Sequence, residues 1–330
     1  MVNLIGILHK QNHRYADRSI TERHLAMVRQ RFPAAKIALA ETETDLMREA
    51  LDAQVLVTWG MIDPPLRFCR EARGLKWIHA LSAGVDSLLA PEVIELGIPI
   101  TCTKGIHGFP ISDHVLSFIL AFSRGLPRFF VQKHQKKWSR YPFTDEVAGK
   151  TVAIIGLGSI GREIARKCRA LDMQVVALSR KAQGKSEAEG VEFLYGPDQV
   201  TEMLSVADYV VLALPLTPAT RHFIDREKLA AMKKTAILIN IGRGGSVDEK
   251  ELIAALKEGK LAGAGLDVFE EEPLPADSPL WEMENVIITP HTAALSPYYI
   301  DRAMEVFCQN LARFQAGEPL LNLVDIEKGY

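Results

Sequence analysis

The sequence predicts an α/β protein built from two domains, each with a doubly wound parallel sheet. Short apolar runs alternate with amphipathic stretches along nearly the whole chain, which is typical of repeated β-α units. A glycine-rich turn at 156–161 joins one apolar run to a helical segment. At 330 residues, of which 48% are hydrophobic, the chain is long enough to bury two cores.

The first domain is predicted from five short apolar runs near the N-terminus. A polar, amphipathic segment at 19–31 lies between the first two and is typical of a surface helix. Strands that alternate with helices in this way form a parallel sheet. The five runs are 4–8, 36–40, 55–58, 77–81 and 98–103.

The second domain is predicted from a second series of apolar runs. A long helical pattern from Ile111 to Lys137, interrupted at Gly125 and Pro127, connects the two domains. The runs that follow are 152–155, 175–178, 209–214, 236–241, 263–268 and 286–289. The last amphipathic segment, 297–314, comes after this sheet, and the first domain is an alternative packing partner for it.

Composition and charge favour a small-molecule ligand. The formal charge of -2 offers no basic field for nucleic acid or for an acidic membrane. No apolar run approaches the roughly 18 residues that span a bilayer, and the N-terminus lacks a signal peptide pattern. We therefore expect a soluble cytoplasmic protein without a metal site. The cysteines are scattered, which fits a reducing compartment: Cys69, Cys102, Cys168 and Cys308.

The turn at 156–161 has the GxGxxG pattern between a strand and a helix. Gly156 allows the tight turn, Gly158 lets the backbone approach a pyrophosphate, and Gly161 allows close packing of helix and strand. A helical segment at 162–171 follows, and the N–H groups at the helix N-terminus can bind an anion, with Ser159 and Ile160 of the turn as further cofactor-binding residues. The position of the motif favours a dinucleotide site over an ordinary glycine-rich loop.

The next strand ends at Ser179, where an NAD site would normally have an acidic residue for the ribose 2'-hydroxyl. Arg180 and Lys181 follow instead, and they can neutralise a 2'-phosphate to which Ser179 donates a hydrogen bond. The sequence therefore predicts NADP(H) as the preferred cofactor, with NAD(H) possible. The alternative, that both basic residues are merely solvated, leaves the missing acid unexplained.

Three polar residues follow three apolar runs of the second domain: Arg243, Glu272 and His291. In an open parallel sheet the carboxyl ends of the strands line the ligand crevice, so we expect the three to converge. Arginine can bind an anionic carbonyl substrate, and histidine paired with a carboxylate can transfer a proton near neutrality. The alternatives are a turn cap for Arg243, an acidic surface run for Glu272 and a structural histidine.

With these motifs in order, the chain resembles the D-isomer-specific 2-hydroxyacid dehydrogenase family over nearly its whole length. The substrate loop of the family is similar to 82–86, its nucleotide turn to 156–161, and its loop beside the cofactor to 214–218. The signatures around its catalytic arginine, glutamate and histidine are similar to 240–244, 266–273 and 290–291. One departure is Ile111-Ser112-Asp113-His114, where many members have Val-Ala-Glu-His.

This resemblance implies a fold, a domain division and roles for individual residues. A Rossmann nucleotide domain, 103–294, is inserted into a flavodoxin-like substrate domain, 1–102 with 295–330, and two chains form a homodimer. Arg243 orients the substrate, His291 is the acid or base, and Glu272 tunes it. The backbone of Ala83 and Gly84 holds the substrate carboxylate, and Trp59 can line the pocket. Further cofactor-binding residues are Leu214, Pro215, Thr220, Ile241, Gly242, Asp267, whose contact is the nicotinamide amide, His291 and Ala293.

Within the family, 179–180, 278–281 and 317–319 look like the NADPH-dependent glyoxylate/hydroxypyruvate reductase branch. We therefore expect reduction of a small 2-ketoacid, such as glyoxylate or hydroxypyruvate, to a D-2-hydroxyacid. A 3-phosphoglycerate-type dehydrogenase using NAD ranks lower because no basic pocket for a phosphate is evident. A formate dehydrogenase would have Gln at position 272. A dinucleotide-sensing corepressor keeps the same residues and remains an alternative.

Overall fold

Both sheets of the protein are entirely parallel. The computed structural model describes residues 2–9, 19–60, 63–140, 144–179 and 190–327. The chain forms two compact units, Met1–Ile106 with Ser296–Tyr330 (unit 1) and His107–Leu295 (unit 2). The sequence places the first division after residue 102. The four residues that follow remain with unit 1, because Thr103 N–H donates to Ser82 O (3.0 Å) and Ile106 packs against its core.

Unit 1 contains a five-stranded sheet in the order β2-β1-β3-β4-β5. This is the flavodoxin-like order, with β1 inside the sheet and a switch point beside it. The strands are β1 (Leu4–Leu8), β2 (Lys36–Ala40), β3 (Val55–Thr58), β4 (Trp77–Ala80) and β5 (Ile100–Cys102). The helices between them are α1 (Glu22–Arg31), α2 (Glu43–Ala50), α3 (Leu66–Glu71) and α4 (Pro91–Ile94).

Unit 2 begins with two helices, α5 (Gly108–Ser123) and α6 (Leu126–His134). They are separated where the sequence predicts an interruption, at Gly125, whose φ of 66° ends the first helix. The strands are β6 (Thr151–Ile155), β7 (Gln174–Leu178), β8 (Phe193–Tyr195), β9 (Tyr209–Leu212), β10 (Ile237–Asn240), β11 (Gly263–Leu266) and β12 (Val286–Ile288). The helices among them are α7 (Ser159–Arg169), α8 (Val200–Val206), α9 (Arg226–Ala231) and α10 (Glu249–Lys257).

The strand order in unit 2 is β12-β11-β10-β9-β6-β7-β8. Counted from β6, this is the Rossmann order 3-2-1-4-5-6 with one further strand, and it puts the switch point between β6 and β9. The prediction of two doubly wound parallel sheets is therefore confirmed. Strand β8 was not predicted, because its apolar run of three residues is shorter than any run from which a strand was predicted.

The last helix, α11 (Tyr299–Ala316), belongs to unit 1. Its apolar stripe is buried in the core of that unit, where Phe307 stacks on Trp77 with ring centroids 5.6 Å apart. Trp77 also stacks on Phe314 at 5.4 Å. None of the helices in the described parts of the chain is long and apolar enough to cross a membrane.

A fully buried histidine, His79 on β4, lies in the core of unit 1 within a hydrogen-bonded chain. Its Nδ1 is 2.8 Å from Thr101 Oγ1, and its Nε2 is 3.3 Å from Thr103 Oγ1. Thr103 Oγ1 donates to Ala80 O (2.9 Å), so it must accept from Nε2–H, which leaves Nδ1 to accept from Thr101. Burial without a carboxylate lowers the pKa of His79 to about 3.

We expect the free energy of unfolding to fall as the pH drops from 6.5 toward 3. The unfolded imidazole binds a proton below its ordinary pKa of 6.5, whereas His79 in the folded chain stays neutral until about pH 3. The unfolded state thus holds more protons in this window, and each pH unit costs about 1.4 kcal/mol, or about 2 kcal/mol by pH 5.

Urea unfolding between pH 7 and pH 5 measures this slope, with His79→Gln as the comparison. The variant should be less stable at pH 7 and should depend less on pH than the wild type. His9 and His114, whose pKa values are also lowered by burial, are present in both proteins and add the same slope to each. If the free energy of unfolding depends equally on pH in the two proteins, His79 is not the source of the pH dependence.

Candidate active site

Arg243, Glu272 and His291 follow three neighbouring strands of unit 2. Strands β10, β11 and β12 are adjacent and parallel, with Asn240 beside Leu266 and Leu266 beside Ile288. Their carboxyl ends therefore lie at one edge of the sheet. The three residues come from the turns that leave this edge, so the structure brings together the elements that the sequence predicts to converge.

His291 and Glu272 form a hydrogen-bonded pair at this edge. His291 Nδ1 lies 2.8 Å from Glu272 Oε2, and Glu272 Oε1 accepts a hydrogen bond from Phe269 N–H at 3.2 Å. Because the carboxylate can only accept when it is ionised, Nδ1 has the proton in this pair. The ring is 38% exposed, and Nε2 has no hydrogen bond to any described residue. Nε2 is therefore the ring atom that can meet a substrate.

The backbone of His291 is held in the left-handed region, with φ at 54°. A non-glycine residue pays about 1–2 kcal/mol for this conformation, so the surroundings must impose it. The His291 N–H donates to Asp267 O at 2.8 Å and also approaches Thr289 O at 3.0 Å. This turn directs the imidazole toward Glu272.

Asp267 organises the segment around His291. The residue is 1% exposed, and Oδ1 accepts from Thr289 Oγ1 (2.6 Å) and from Thr292 N–H (2.8 Å). The second oxygen, Oδ2, accepts from Ala293 N–H at 2.9 Å. The ionised carboxylate thus binds donors on both sides of His291 in sequence. The nicotinamide contact that the resemblance implies for Asp267 stays a prediction.

His114 of α5 extends this network. Its Nε2 lies 2.9 Å from Thr289 Oγ1 and 3.7 Å from Asp267 Oδ1. Since Thr289 donates to Asp267, it accepts from His114 Nε2–H. Burial lowers the pKa of His114, although the charge of Asp267 opposes this effect. In the segment 111–114, which departs from the family pattern, His114 thus belongs to the site. Asp113 instead pairs with Lys167 on α7.

The turn that contains Arg243 is held by polar side chains beneath it. Asn240 Nδ2 donates to Arg243 O (3.0 Å), Asn240 Oδ1 accepts from Gly242 N–H (3.1 Å), and Ser246 Oγ donates to Arg243 O (2.5 Å). A Cβ on Gly244 would lie 1.8 Å from the carbonyl carbon of Phe269. The turn is thus pressed against the end of β11, beside the segment that leads to Glu272.

The glycine-rich turn after β6 has the shape of a pyrophosphate site. Gly156 has a φ of 107°, and a Cβ there would lie 2.7 Å from Ala213 O. A Cβ on Gly161 would lie 2.2 Å from Gly156 O, so this glycine lets α7 approach the turn. At Gly158, by contrast, a Cβ would meet nothing within 4 Å, so the backbone here borders open space.

Helix α7 begins at Ser159 without a side-chain cap on its N-terminus. Its first N–H groups therefore have no intrahelical acceptor and point toward the same open space. The residues present fit a dinucleotide, as the sequence predicts for Ser159 and Ile160. Bound at this turn, the pyrophosphate would accept hydrogen bonds from the start of α7.

The other predicted cofactor residues lie around the same sheet edge. A Cβ on Gly242 would lie 2.7 Å from Leu214 O, so the β10 turn is packed on the loop after β9. Thr220 Oγ1 donates to Pro215 O at 2.7 Å and closes that loop. Ile241 and Ala293 are buried. Ser179 follows β7, and Arg180 and Lys181 lie outside the described residues.

The predicted substrate residues of unit 1 are placed differently from one another. Ala83 and Gly84 form a partly exposed loop after β4. Trp59 is only 4% exposed and stacks on Tyr299 with ring centroids 5.9 Å apart, so it belongs to the core of unit 1. Among the described residues, no group of three His, Cys, Asp or Glu could hold a metal ion.

The protein combines a Rossmann sheet and a glycine turn with an arginine and a histidine–carboxylate pair at the carboxyl edge of the sheet. This combination defines the class of nicotinamide-dependent oxidoreductases that act on a carbonyl or a hydroxyl group. The comparisons with known proteins then identify the family. Residues 116–293 match the family described as D-isomer specific 2-hydroxyacid dehydrogenase, NAD binding domain. The chain belongs to this family and is an NAD(P)-dependent D-2-hydroxyacid dehydrogenase.

Several relatives resemble the chain over most of its length. The glyoxylate reductase of Korarchaeum cryptofilum is 33% identical, with 95% of this chain and 96% of that protein covered. The D-3-phosphoglycerate dehydrogenase of Methanocaldococcus jannaschii is 34% identical over 88% of this chain, which spans only 55% of that longer protein. The NADPH-dependent glyoxylate/hydroxypyruvate reductase of Sinorhizobium meliloti, solved with NADP and sulfate, is 30% identical with a TM-score of 0.80, covering 99% of both chains.

Sequence reasoning missed the residues that support the site. Asn240, Thr289 and Ser246 hold the two turns in which Arg243 and His291 lie, but none was predicted to do so. Two of them end or follow strands, so the rule that selected the trio could have found Asn240 and Thr289 as well. Ser246 has no such signal.

Proposed function

We propose that the protein reduces a small 2-ketoacid to the D-2-hydroxyacid with NADPH, and that glyoxylate and hydroxypyruvate are its main substrates. The observation that supports this most directly is the 2.8 Å pair between His291 Nδ1 and Glu272 Oε2. The pair lies at the sheet edge that also presents Arg243. Relatives named as glyoxylate reductases, and the Sinorhizobium meliloti enzyme named for glyoxylate and hydroxypyruvate, support the substrate class.

In this mechanism His291 supplies the proton to the carbonyl oxygen. Its Nε2–H points away from Glu272, and the ionised carboxylate stabilises the doubly protonated ring before transfer. When bound, the reduced nicotinamide supplies the hydride to the carbonyl carbon. After the proton has moved from Nε2 to oxygen, the ring is neutral and keeps its Nδ1–H on Glu272.

Arg243 has two tasks in the proposal. Its guanidinium binds the ketoacid through charge-assisted hydrogen bonds, and it stabilises the negative charge that develops on the carbonyl oxygen. A fixed backbone is required for both, because a displaced donor loses most of its effect. Asn240 and Ser246 provide this by holding the carbonyl of Arg243.

We assign the substrate carboxylate to the N–H groups of Ala83 and Gly84 in unit 1. Within the described chain, no residue accepts a hydrogen bond from either group. Two adjacent N–H donors on a partly exposed turn match the two oxygens of a carboxylate. Trp59, in contrast, is assigned by us to the core, because stacking on Tyr299 accounts for its position.

For the cofactor, we propose a preference for NADPH over NADH. No carboxylate follows β7, where Ser179, Arg180 and Lys181 occur in sequence. The Sinorhizobium meliloti relative, solved with NADP, supports the same choice.

Replacing Arg180 by alanine should weaken NADPH binding about tenfold or more and leave NADH binding nearly unchanged. The lost interaction is a charge-assisted bond to the 2'-phosphate, which NADH lacks. Fluorescence titration with both cofactors measures the two dissociation constants. An equal loss for both would show that Arg180 does not contact the 2'-phosphate.

The decisive test of the function is a panel of 2-ketoacids run with NADPH and with NADH, followed at the nicotinamide absorbance band. Glyoxylate and hydroxypyruvate should be reduced fastest, and the product should be the D isomer where it is chiral. Oxidation of 3-phosphoglycerate with NAD would favour a 3-phosphoglycerate-type dehydrogenase instead. Tight cofactor binding without turnover of any ketoacid would favour a dinucleotide sensor.

We also propose that the protein is a homodimer that uses α6 and the segment after it. Helix α6 has no buried residue, and the large apolar side chains Leu126, Phe130 and Trp138 are 42%, 60% and 100% exposed. Leu126 and Phe130, four residues apart, lie on one face of α6, and Trp138 follows the helix. An apolar surface of this kind on a monomer is typical of a protein interface.

The cytoplasmic location, consistent with four free cysteines, stays a prediction.

The double variant Phe130→Glu, Trp138→Ser should shift the protein from dimer to monomer at micromolar concentration. It removes two exposed aromatic groups and adds a charge that an apolar interface would have to desolvate. Sedimentation equilibrium measures the mass, and Trp281→Ser, which removes another exposed tryptophan, serves as the control. A wild type that is monomeric would refute the proposal.

A further inference from the structure

The loop after β4 is tied to unit 1 from several directions. Leu81 N–H donates to Thr58 O and Thr103 N–H donates to Ser82 O, at 2.8 and 3.0 Å. The Tyr299 hydroxyl of α11 donates to Leu81 O at 2.8 Å. These bonds hold the backbone of the loop up to Ser82.

A side chain continues the support beyond that point. Ser82 is 6% exposed, and its Oγ lies 2.9 Å from Gly60 N and 2.7 Å from Gly84 O. Because a hydroxyl has one proton, Ser82 donates to Gly84 O and accepts from Gly60 N–H. The hydroxyl therefore bridges the end of β3 and the carbonyl of the second predicted carboxylate-binding residue.

Gly60 allows this bridge to form. A Cβ at this position would lie 2.3 Å from Gly84 O and 2.8 Å from Ser82 Oγ. No L side chain fits at such distances, so the backbone after β3 lies directly against the loop. A second bond, from Ser87 N–H to Gly60 O at 3.2 Å, fixes the far side of the loop to the same glycine.

The bridge decides how the loop presents its N–H groups. Ser82 O, which accepts from Thr103 N–H, belongs to the same peptide group as the Ala83 N–H, so that plane is held at 3.0 Å. Gly84 O, which accepts from Ser82 Oγ, belongs to the peptide group that follows Gly84. The peptide group that contains the Gly84 N–H therefore lies between two held planes. We infer that Ser82 is a positioning residue, and that its hydroxyl, seated on Gly60, orients the N–H groups of Ala83 and Gly84 toward the substrate carboxylate. This inference rests on the proposed function and adds a residue that does not itself touch substrate.

The first test is Ser82→Ala, with Ser87→Ala as a matched control on the exposed part of the same loop. For Ser82→Ala we expect the KM for glyoxylate and the inhibition constant of oxamate, an unreactive ketoacid analogue, to rise about tenfold. A tenfold change corresponds to about 1.4 kcal/mol, which is the size of one hydrogen bond lost between the misoriented N–H groups and the substrate carboxylate. The kcat and the dissociation constant of NADPH should change less than twofold, and Ser87→Ala should match the wild type.

A merely structural serine would behave differently, since its loss would lower the melting temperature and leave KM and the inhibition constant unchanged. That result would overturn the inference. The pair Ser82→Thr and Ser82→Val keeps the test valid if alanine destabilises the loop, because the two side chains have nearly equal size. Threonine should retain the wild-type inhibition constant, and valine should lose it; equal constants for the two would also refute the bridge.

The two proposals fail in distinguishable ways. If the wild type reduces no 2-ketoacid with either cofactor, the proposed function is wrong. If the wild type is active and Ser82→Ala binds oxamate as tightly as the wild type does, only the role of Ser82 is wrong.

Discussion

Replacing His291 by alanine should reduce kcat for ketoacid reduction by about 1,000-fold, within the range of roughly 100 to 10,000 for a general acid. The variant lacks the Nε2–H that protonates the carbonyl oxygen, and no other described group is assigned to this task. Binding of NADPH should change less than threefold, because the glycine turn and the start of α7 are untouched. Stopped-flow turnover and fluorescence titration measure the two effects.

His222→Ala is a matched control for this substitution. His222 also has a positive φ, 47°, and its Nε2 lies 2.7 Å from Glu270, so it forms a histidine–carboxylate pair of the same kind. Its replacement should leave kcat within about twofold of the wild-type value. Near-normal turnover in His291→Ala would exclude His291 as the acid, and an equally large loss in both variants would point to a general structural effect.

Arg243→Ala should have the second largest effect, a loss of about 1,000-fold in kcat/KM, shared between a higher KM and a lower kcat. The higher KM follows from the lost bond to the ketoacid, and the lower kcat from the lost stabilisation of charge on the carbonyl oxygen. Arg243→Lys should recover only part of the activity. A lysine keeps the charge, but it lacks the planar fork that binds two oxygens at once.

Arg226→Ala provides the comparison for this prediction. Arg226 belongs to the same unit, is 82% exposed and pairs with Glu251, so its loss should change kcat/KM less than twofold. Steady-state kinetics over a wide range of glyoxylate concentration separates KM from kcat. A change in KM alone for Arg243→Ala would limit Arg243 to substrate binding.

Hydrogen bonds fix the backbone at two members of the predicted trio, His291 and Arg243. Asp267, buried and bound to donors on either side of His291, holds a backbone that is unfavourable by itself. Asn240 holds the turn of Arg243 through two hydrogen bonds. Both residues fix the backbone of a proposed catalytic residue, so we expect substitutions there to reduce activity without removing any group that is proposed to meet the substrate.

Much of the fold could be predicted because each strand is short, apolar and bounded by turn residues. The runs at 4–8, 36–40 and 55–58 coincide with β1, β2 and β3. Helix α6 was predicted only as part of one long pattern, since its residues stay exposed and give no buried stripe. The apolar run of β8 is shorter than any run from which a strand was predicted.

In the candidate site, too, some residues could be predicted from sequence and others could not. Arg243, Glu272, His291 and the glycine turn are evident from sequence because strand ends and GxGxxG are local patterns. The role of Ser82 is not, because it depends on a glycine 22 positions earlier in sequence that lies against Gly84. The burial of Trp59 is likewise decided by Tyr299, which is far away along the chain.

The sequence by itself determined the parallel sheets, the dinucleotide turn and the types of residue at the strand ends. These follow from periodicity and from backbone requirements that a few neighbouring residues satisfy. Only the tertiary structure decided the orientation of those residues. The direction of an imidazole or of an N–H group depends on hydrogen bonds between distant segments, such as Thr289 to Asp267 and Ser82 to Gly60, which no local pattern encodes.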